Sequence, residues 1–294
     1  MHDFEVVSNQ EIADGIFSLV ISAPKLASAL KPGQFVNIAV PGDASSLLRV
    51  PLSFYRADAQ TGTVELWYAV VGDDTRRLSQ MAPGSTSNLL GPGGRGWLVP
   101  EGTRKALLVA GGIGVPPVLC LAGMLVEQGV AVDVCLGFGT ASKAVGVDEF
   151  RALCDTVNVC TDDGSLGTHG FCTDPAAELL GEGGYDYVAS CGPAVMMKKV
   201  AAAAAEAGAY CEVSLERMMS CGFGACNTCN VETVYICPEC GCVIDRDYNA
   251  AVNIREEGKR TFLIYLKEAM EKAEETKIRQ EAAKERMQKK KKAA

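Results

Sequence analysis

The chain has 294 residues, of which 48% are hydrophobic, enough for two compact domains with their own cores. Its apolar runs are shorter than the ~20 residues of a membrane span, and its first ten residues lack the features of a signal peptide, so we expect a cytoplasmic protein. Its net charge of -8 makes nucleic acid a poor partner for most of the chain, although residues 255–294 hold 13 of the 28 Lys and Arg residues.

The first part of the chain consists of short apolar segments separated by Gly and Pro, which predicts a small antiparallel β-barrel. One predicted strand, RVPLSFY (49–55), carries Arg49 and Ser53 on one face, because side chains alternate along a strand. A positive charge and a hydroxyl on one face suit the diphosphate and ring of a flavin. Chance occurrence of these residues in a barrel strand is the alternative interpretation.

After a Pro- and Gly-containing linker at 99–103, apolar strands alternate with glycine turns and helices. This pattern predicts a parallel sheet with helices on its faces, as in a Rossmann-like domain. In KALLVAGGIGVPP, Gly111, Gly112 and Gly114 lie between a strand and a helix start, whose unpaired N–H groups would suit a pyrophosphate. Tight packing of the strand against the helix is the other role that such glycines have.

A second loop of this domain follows the strand YDYVA and contains Cys191, Gly192 and Pro193. Ligands of such folds bind at the carboxyl edge of the sheet, so this loop could face a nicotinamide, unless Cys191 is simply packed at the strand end. The loop TDDGSLGTHG (161–170) could reach a ribose or an amide. We identify no catalytic residue, because the chain has two histidines and no evident Ser-His-Asp or paired-carboxylate arrangement.

Seven of the thirteen cysteines lie between Cys211 and Cys242, which favours metal ligation in a reducing compartment. Cys221, Cys226 and Cys229 have the C-x4-C-x2-C spacing of a plant-type [2Fe-2S] loop. We expect five of the other cysteines to be small buried hydrophobic residues, namely Cys120, Cys135, Cys154, Cys160 and Cys172.

Seven motifs follow one another between residues 4 and 233: PGQFVNI, R-x-PLS, LGPxGxG, VAGGIGVPP, TDDGSLGTHGFxTD, CGPxxMM and SLERMMSCGFGAC. In this order they resemble the electron-transfer subunits of dihydroorotate dehydrogenase, which are ferredoxin-reductase-like flavoproteins. The resemblance implies FAD, a 2Fe-2S cluster and NAD as cofactors. It also implies an FMN-containing catalytic partner in a heterotetramer, from which electrons pass through the cluster and FAD to NAD in pyrimidine biosynthesis.

The resemblance further implies which residues hold the flavin, and there are two departures from the family. Val50 stands where the family has Arg, so Arg49 must substitute or the diphosphate loses a contact. Asp74 stands in place of a glycine and puts a carboxylate near the expected phosphate. In GFGTASKAVG only Lys143 could hold a 2′-phosphate, which favours NAD over NADP. The residues implied in flavin binding are Arg49, Pro51, Leu52, Ser53, Trp67, Tyr68, Ala69, Asp74 and Thr75.

After Thr233 the chain departs from this family. Residues 234–258 resemble the C-terminal end of transposon-encoded TnpB-type nucleases, in which CPxCG is half of a zinc ribbon and Asp247 matches a catalytic carboxylate. The segments that bear the other acids are absent, so we expect a fusion fragment rather than a nuclease. For the fourth cluster ligand, the flanking residues favour Cys237, whereas the spacing from Cys229 favours Cys242. The pairs Cys226-x2-Cys229 and Cys237-x2-Cys240 also have spacing compatible with zinc.

We therefore predict an FAD-binding β-barrel at 1–99, an NAD-binding α/β domain at 100–210, an iron-sulfur cysteine-rich region at 211–243, and a nuclease-like fragment with a charged helical tail at 244–294. One alternative is another NAD(P)H-linked flavoprotein reductase subunit, of the sulfide dehydrogenase or ferredoxin-NADP reductase type. The other is a zinc-ribbon nucleic-acid-binding protein, which would leave two domains without a purpose.

Overall fold

The computed structural model describes residues 1–42, 48–215 and 219, and the backbone of 234–236 and 243–245. The chain divides into two compact units, residues 1–230 and 231–294. The first unit contains two sheets and six α-helices, all within the described residues.

The first sheet has seven antiparallel strands, which are β1 (His2–Ala13), β2 (Ile16–Ser22), β3 (Phe35–Ile38), β4 (Val50–Ser53), β5 (Arg56–Asp58), β6 (Thr63–Ala69) and β7 (Thr86–Gly93). Their order is β4-β3-β7-β1-β2-β6-β5. Since only Phe54 and Tyr55 separate the two edge strands, the segment 50–58 connects both edges and closes the sheet into a barrel. Two short helices, α1 (Pro24–Ala27) and α2 (Asp73–Ser79), lie in its connections.

Alternating side chains fill the barrel. Leu66 of β6 lies opposite Leu19 of β2, and Val64 lies opposite Ile21; all four are fully buried. Burial of each such side chain contributes about 1.5–3 kcal/mol. Trp67, which comes next on β6, belongs instead to the core of the second sheet.

The second sheet has six parallel strands, which are β8 (Lys105–Gly111), β9 (Ala131–Phe138), β10 (Thr156–Thr161), β11 (Thr168–His169), β12 (Tyr187–Cys191) and β13 (Tyr210–Ser214), in the order β11-β10-β9-β8-β12-β13. Four helices pack on it, which are α3 (Val115–Glu127), α4 (Val147–Leu153), α5 (Thr173–Glu182) and α6 (Ala194–Glu206). The chain changes direction across the sheet between β8 and β12, and this reversal opens a crevice at their carboxyl ends.

The barrel and the second sheet share one hydrophobic cluster. Ile16 and Trp67 of the barrel belong to it, together with Val115 and Leu119 of α3. The Trp67 ring also lies against the Tyr55 ring, with 4.4 Å between centroids. The two parts of the first unit therefore pack directly against each other.

The second unit contributes an antiparallel strand pair, β14 (Val234–Ile236) and β15 (Val243–Asp245). The predicted charged helical tail lies outside the described residues. Among the helices that the structure describes, none has the length and apolar character needed to cross a bilayer.

The predicted β-barrel and Rossmann-like sheet are both confirmed. The strand predicted at 49–55 is shorter than expected, since β4 ends at Ser53 and the chain bends before β5. At this bend the Tyr55 N–H donates to the Glu65 carbonyl at 2.9 Å. The predicted domain boundary at 99/100 falls between β7 and β8, and it stays a prediction.

A buried carboxylate lies near the amino end of the second sheet. Asp133 Oδ2 accepts a hydrogen bond from the Tyr185 hydroxyl at 2.7 Å and forms a salt bridge with Lys105 Nζ at 3.1 Å. Burial acts to raise the pKa of Asp133, but hydrogen bonds from Tyr185, Thr156 and Lys105 outweigh it, so this pKa lies below its usual value. The folded protein therefore favours the ionised carboxylate.

We expect Tyr185→Phe to lower the free energy of unfolding by about 1–3 kcal/mol, because it removes a donor from a buried carboxylate. Since the pKa of Asp133 is lower in the folded than in the unfolded state, the loss should be complete above about pH 4 and should shrink as pH falls through the folded pKa. Urea unfolding from about pH 7 to about pH 3 measures this difference. An equal loss across that range would contradict the assignment.

Candidate functional site

A cavity of about 630 Å³ lies between the barrel and the second sheet; we call it the interdomain cavity. Its opposite wall includes Ile113, Ser214, Leu215 and Met219. Its barrel wall contains all nine residues implied in flavin binding, which are Arg49, Pro51, Leu52, Ser53, Trp67, Tyr68, Ala69, Asp74 and Thr75.

The guanidinium of Arg49 is held in place on the barrel wall. Its Nη2 donates to Asn88 Oδ1 at 2.6 Å, and its Nη1 donates to the backbone carbonyls of Asn88 at 3.2 Å and Asn37 at 3.4 Å. Val50 is buried in the barrel core instead. At this end of β4, Arg49 therefore supplies the positive charge, and strands β3 and β7 orient it.

The aromatic residues of β6 have different orientations. The Trp67 indole N–H donates to Glu65 at 2.8 Å. The Tyr68 hydroxyl donates to Asn9 Oδ1 at 3.0 Å, and burial raises the pKa of Tyr68 to about 12. The Tyr68 phenol is therefore committed to the barrel interior and is protonated at neutral pH.

The unexpected carboxylate of Asp74 has a basic neighbour. Asp74 Oδ1 forms a salt bridge with Arg77 Nη2, three residues later on α2, at 2.5 Å. Thr75 Oγ1 accepts hydrogen bonds from the N–H groups of Val71 at 2.9 Å and Gly72 at 3.0 Å. Arg77 thus offsets the charge of Asp74, while Thr75 orders the turn that forms this part of the wall.

A second cavity, of about 310 Å³, lies at the carboxyl ends of the parallel strands; we call it the edge crevice. Residues that follow β8, β9, β10 and β12 all contribute to its lining. Three of the six residues predicted to bind the nucleotide line the edge crevice, namely Gly111, Gly112 and Pro193. The other three, Gly114, Cys191 and Gly192, do not line it.

Glycine is needed in the loops after β8 and β12 for different physical reasons. A Cβ on Gly114 would overlap the Cys191 carbonyl, and a Cβ on Gly192 would lie 2.9 Å from the Gly111 backbone N. Both glycines therefore allow the loops after β8 and β12 to pack together. Gly112 has open space at the Cβ position and a φ of +53°, and it lines the edge crevice, so its left-handed backbone favours glycine there.

The expectation that the start of α3 offers unpaired N–H groups is corrected. The first turn of α3 is Val115, Pro116 and Pro117, and proline carries no N–H. The Val115 N–H already donates to the Gly112 carbonyl. Backbone donors for a phosphate must therefore come from the glycine loop more than from the helix.

Asp162, from the loop expected to reach a ribose or an amide, lines the edge crevice. Phe171 and Lys199 line it too and were not predicted from the sequence; Lys199 Nζ lies 5.5 Å from the centroid of the Phe171 ring. Lys199 lies one turn of α6 after Met196, which also lines the crevice. This helical spacing is the sequence feature from which Lys199 could have been predicted. Lys143, singled out from the sequence, is exposed and lies outside the lining.

The described cysteines are packing residues. Cys135, Cys160, Cys172 and Cys191 are buried, whereas Cys120 and Cys154 are half-buried. The buried side chain of Cys191 lies in the hydrophobic core, which favours the packing interpretation. Burial raises the pKa to about 12 for the thiols of Cys120, Cys135, Cys154 and Cys172.

Such thiols stay protonated at neutral pH and are poor metal ligands. Within 1–42, 48–215 and 219 no cluster of His, Cys, Asp and Glu could hold a metal ion. The predicted cluster ligands all lie outside the described residues; they are Cys221, Cys226, Cys229, Cys237 and Cys242.

Most of this chain is similar in sequence to known proteins. The electron transfer subunit of dihydroorotate dehydrogenase B (NAD(+)) from Listeria monocytogenes serotype 4a (strain HCC23) is 37% identical over 239 residues, which cover 81% of this chain and 89% of the relative. The subunit of the same name from Geobacillus sp. (strain WCH70) is 40% identical over 237 residues, covering 78% and 90%. The chain belongs to this family. The resemblance read from the motifs is thereby confirmed.

Solved structures agree with membership of the electron transfer subunit family. The structure of an NADH-dependent reduced ferredoxin-NADP oxidoreductase superposes with a TM-score of 0.71 at 32% identity, covering 79% of this chain and 82% of that chain. The ferredoxin reductase in carbazole 1,9a-dioxygenase has a TM-score of 0.61 at 20% identity, covering 73% and 69%, which supports the fold alone.

A different similarity covers a later part of this chain. Residues 200–254 match the family model of the Cas12f1-like TNB domain. This match includes residues 234–254, most of the segment that resembles a TnpB-type nuclease, so that resemblance also has independent support.

We expect Gly114→Ala to destabilise the protein by about 1–3 kcal/mol or more, because its methyl group would overlap the Cys191 carbonyl. Gly112→Ala should cost about 1–2 kcal/mol through its left-handed backbone, keep the fold, and weaken NAD binding. Thermal unfolding and calorimetric titration with NAD measure the two effects.

Gly123→Ala is the matched control for these glycine variants. Gly123 lies within α3 with open space around its Cβ position, so alanine should stabilise the protein by about 0.5–1 kcal/mol. If Gly114→Ala behaved like Gly123→Ala, the packing of the two loops would not be the reason for Gly114.

Proposed function

We propose that this chain is the electron transfer subunit of an NAD-dependent dihydroorotate dehydrogenase. In this role it carries electrons from a catalytic partner, which oxidises dihydroorotate, through a 2Fe-2S cluster and FAD to NAD. The observation that carries the proposal is the interdomain cavity, because its barrel wall assembles every residue implied in flavin binding. Family membership supports the same function.

The interdomain cavity suits FAD in size and chemistry. Its volume of about 630 Å³ is within the range of ligand sites, and the oriented Arg49 guanidinium is suited to a diphosphate. Leu52, Trp67 and Ile113 provide apolar walls that would exclude water from a planar ring. FAD, when bound, supplies the exchange between single electrons and the electron pair of a hydride.

The edge crevice is the proposed site of NAD. Gly112 offers open backbone for the pyrophosphate, and Lys199 brings a positive charge to the same crevice. Ile113, next to Gly112 in the chain, lines the interdomain cavity. The glycine loop therefore lies against both cavities, which is the arrangement that hydride transfer between two bound cofactors requires.

For the cluster we propose Cys221, Cys226 and Cys229 as three thiolate ligands, with Cys237 or Cys242 as the fourth. The proposed partner is an FMN-containing catalytic subunit, joined to this chain in a heterotetramer. Both proposals rest on the family and on the cysteine spacing.

We expect protein purified without oxygen to be yellow-brown, with FAD and about two irons per chain, as a [2Fe-2S] cluster requires. Added NADH should bleach the flavin absorption. The visible spectrum, iron analysis and anaerobic titration measure these properties. Zinc without iron would overturn the cluster, and faster reduction by NADPH would favour the ferredoxin-NADP reductase type of function.

Cysteine variants test the proposed ligands. Cys226→Ser should lose the iron, and one of Cys237→Ser and Cys242→Ser should lose it too, because a [2Fe-2S] cluster needs four protein ligands. Cys240→Ser is the matched control, since it belongs to the zinc pattern alone and should keep the iron. Retention of iron by both Cys237→Ser and Cys242→Ser would exclude them as the fourth ligand.

A further inference from the structure

A buried carboxylate on the edge strand β13 of the second sheet accepts hydrogen bonds from two separate parts of the first unit. Glu212 Oε1 accepts a hydrogen bond from Arg95 Nη2 at 2.9 Å. Glu212 Oε2 accepts one from the Leu98 backbone N–H at 2.7 Å and one from the Tyr187 hydroxyl at 2.8 Å. Arg95 and Leu98 lie in the connection from the barrel, whereas Tyr187 begins β12.

The contacts of Glu212 differ in burial and therefore in strength. The Glu212 side chain is 9% exposed and Tyr187 is fully buried, whereas the Arg95 side chain is 68% exposed. A surface ion pair contributes little, but hydrogen bonds to a buried carboxylate are strong and costly to lose. Of these donors only the Tyr187 hydroxyl is buried, and it holds the carboxylate within the sheet. Leu98 is exposed, and its backbone N–H joins the carboxylate to the connection from the barrel.

This attachment lies close to the flavin site. Glu212 and Ser214 have the same orientation on β13, because side chains alternate along a strand, and their Cα atoms are about 7 Å apart. Ser214 and Leu215 line the interdomain cavity opposite the barrel wall. Glu212 therefore joins the barrel connection to the strand whose carboxyl end closes that cavity.

We infer that Glu212 is a positioning residue for the flavin. Through the Leu98 N–H and the Tyr187 hydroxyl it fixes the distance between the barrel and the end of β13, and so places Ser214 and Leu215 against the flavin. This inference rests on the proposed function, since it requires FAD in the interdomain cavity.

Asp186 provides a matched control at the other end of the sheet. Its Oδ2 accepts hydrogen bonds from the backbone N–H groups of Arg104 at 2.8 Å and Lys105 at 3.1 Å, and these hold its pKa below the usual value. It too is a carboxylate that accepts a backbone N–H from the connection, although its side chain is 37% exposed. Asp186 does not line the interdomain cavity.

The experiment compares Glu212→Gln and Tyr187→Phe with Asp186→Asn and Arg95→Met. We expect Glu212→Gln and Tyr187→Phe to raise the Kd for FAD roughly tenfold, the equivalent of one hydrogen bond to a charged group, and to shift the visible spectrum of bound FAD. The controls Asp186→Asn and Arg95→Met should keep wild-type affinity and spectrum, even where thermal unfolding shows a loss of stability. Tyr187→Phe decides the question if Glu212→Gln does not fold.

Glu212→Gln and Tyr187→Phe proteins that lose stability yet bind FAD with wild-type affinity and spectrum would overturn the inference, since Glu212 would then be structural like Asp186. The proposed function is tested separately by the wild-type protein. If the wild type bound no FAD, the proposed function itself would fail.

Discussion

The proposed flavin site depends on one short segment that pairs with both β3 and β6. Residues 50–53 pair with β3, and residues 56–58 pair with β6, so the backbone hydrogen-bonding groups of both edges are satisfied by adjacent parts of one segment. This closure carries Arg49 and Ser53 to the wall that already holds Trp67 and Ala69. Without it these residues would lie at opposite edges of an open sheet.

The second sheet provides the other half of the site through its reversal of strand order. The loops after β8 and β12 meet at that reversal, and Gly114 and Gly192 allow the close contact. The same glycine loop continues through Ile113 to the interdomain cavity. Backbone packing therefore places the proposed flavin and nicotinamide sites next to each other.

The sequence predicted the elements of the fold well, and the roles of individual residues less well. Strand alternation and glycine turns indicated both sheets, because these patterns are local. Gly114 is required for contact with Cys191, and the first turn of α3 has few free donors, since Val115 is paired and two prolines follow it. Phe171 and Lys199 reach the edge crevice from separate parts of the chain, so their meeting there is not visible in the sequence. The cysteine-rich predictions lie outside the described residues.

The sequence by itself determined the fold class, the family and the candidate cofactors, because ordered motifs and cysteine spacing are properties of the chain. Only the tertiary structure decided which side chains meet. It turned the Tyr68 phenol towards Asn9 inside the barrel, and it placed Glu212 among donors from the barrel connection and from β12. The physical reason is that burial and hydrogen bonding depend on neighbours distant in the chain, as Arg95 and Glu212 are, and no local pattern specifies those neighbours.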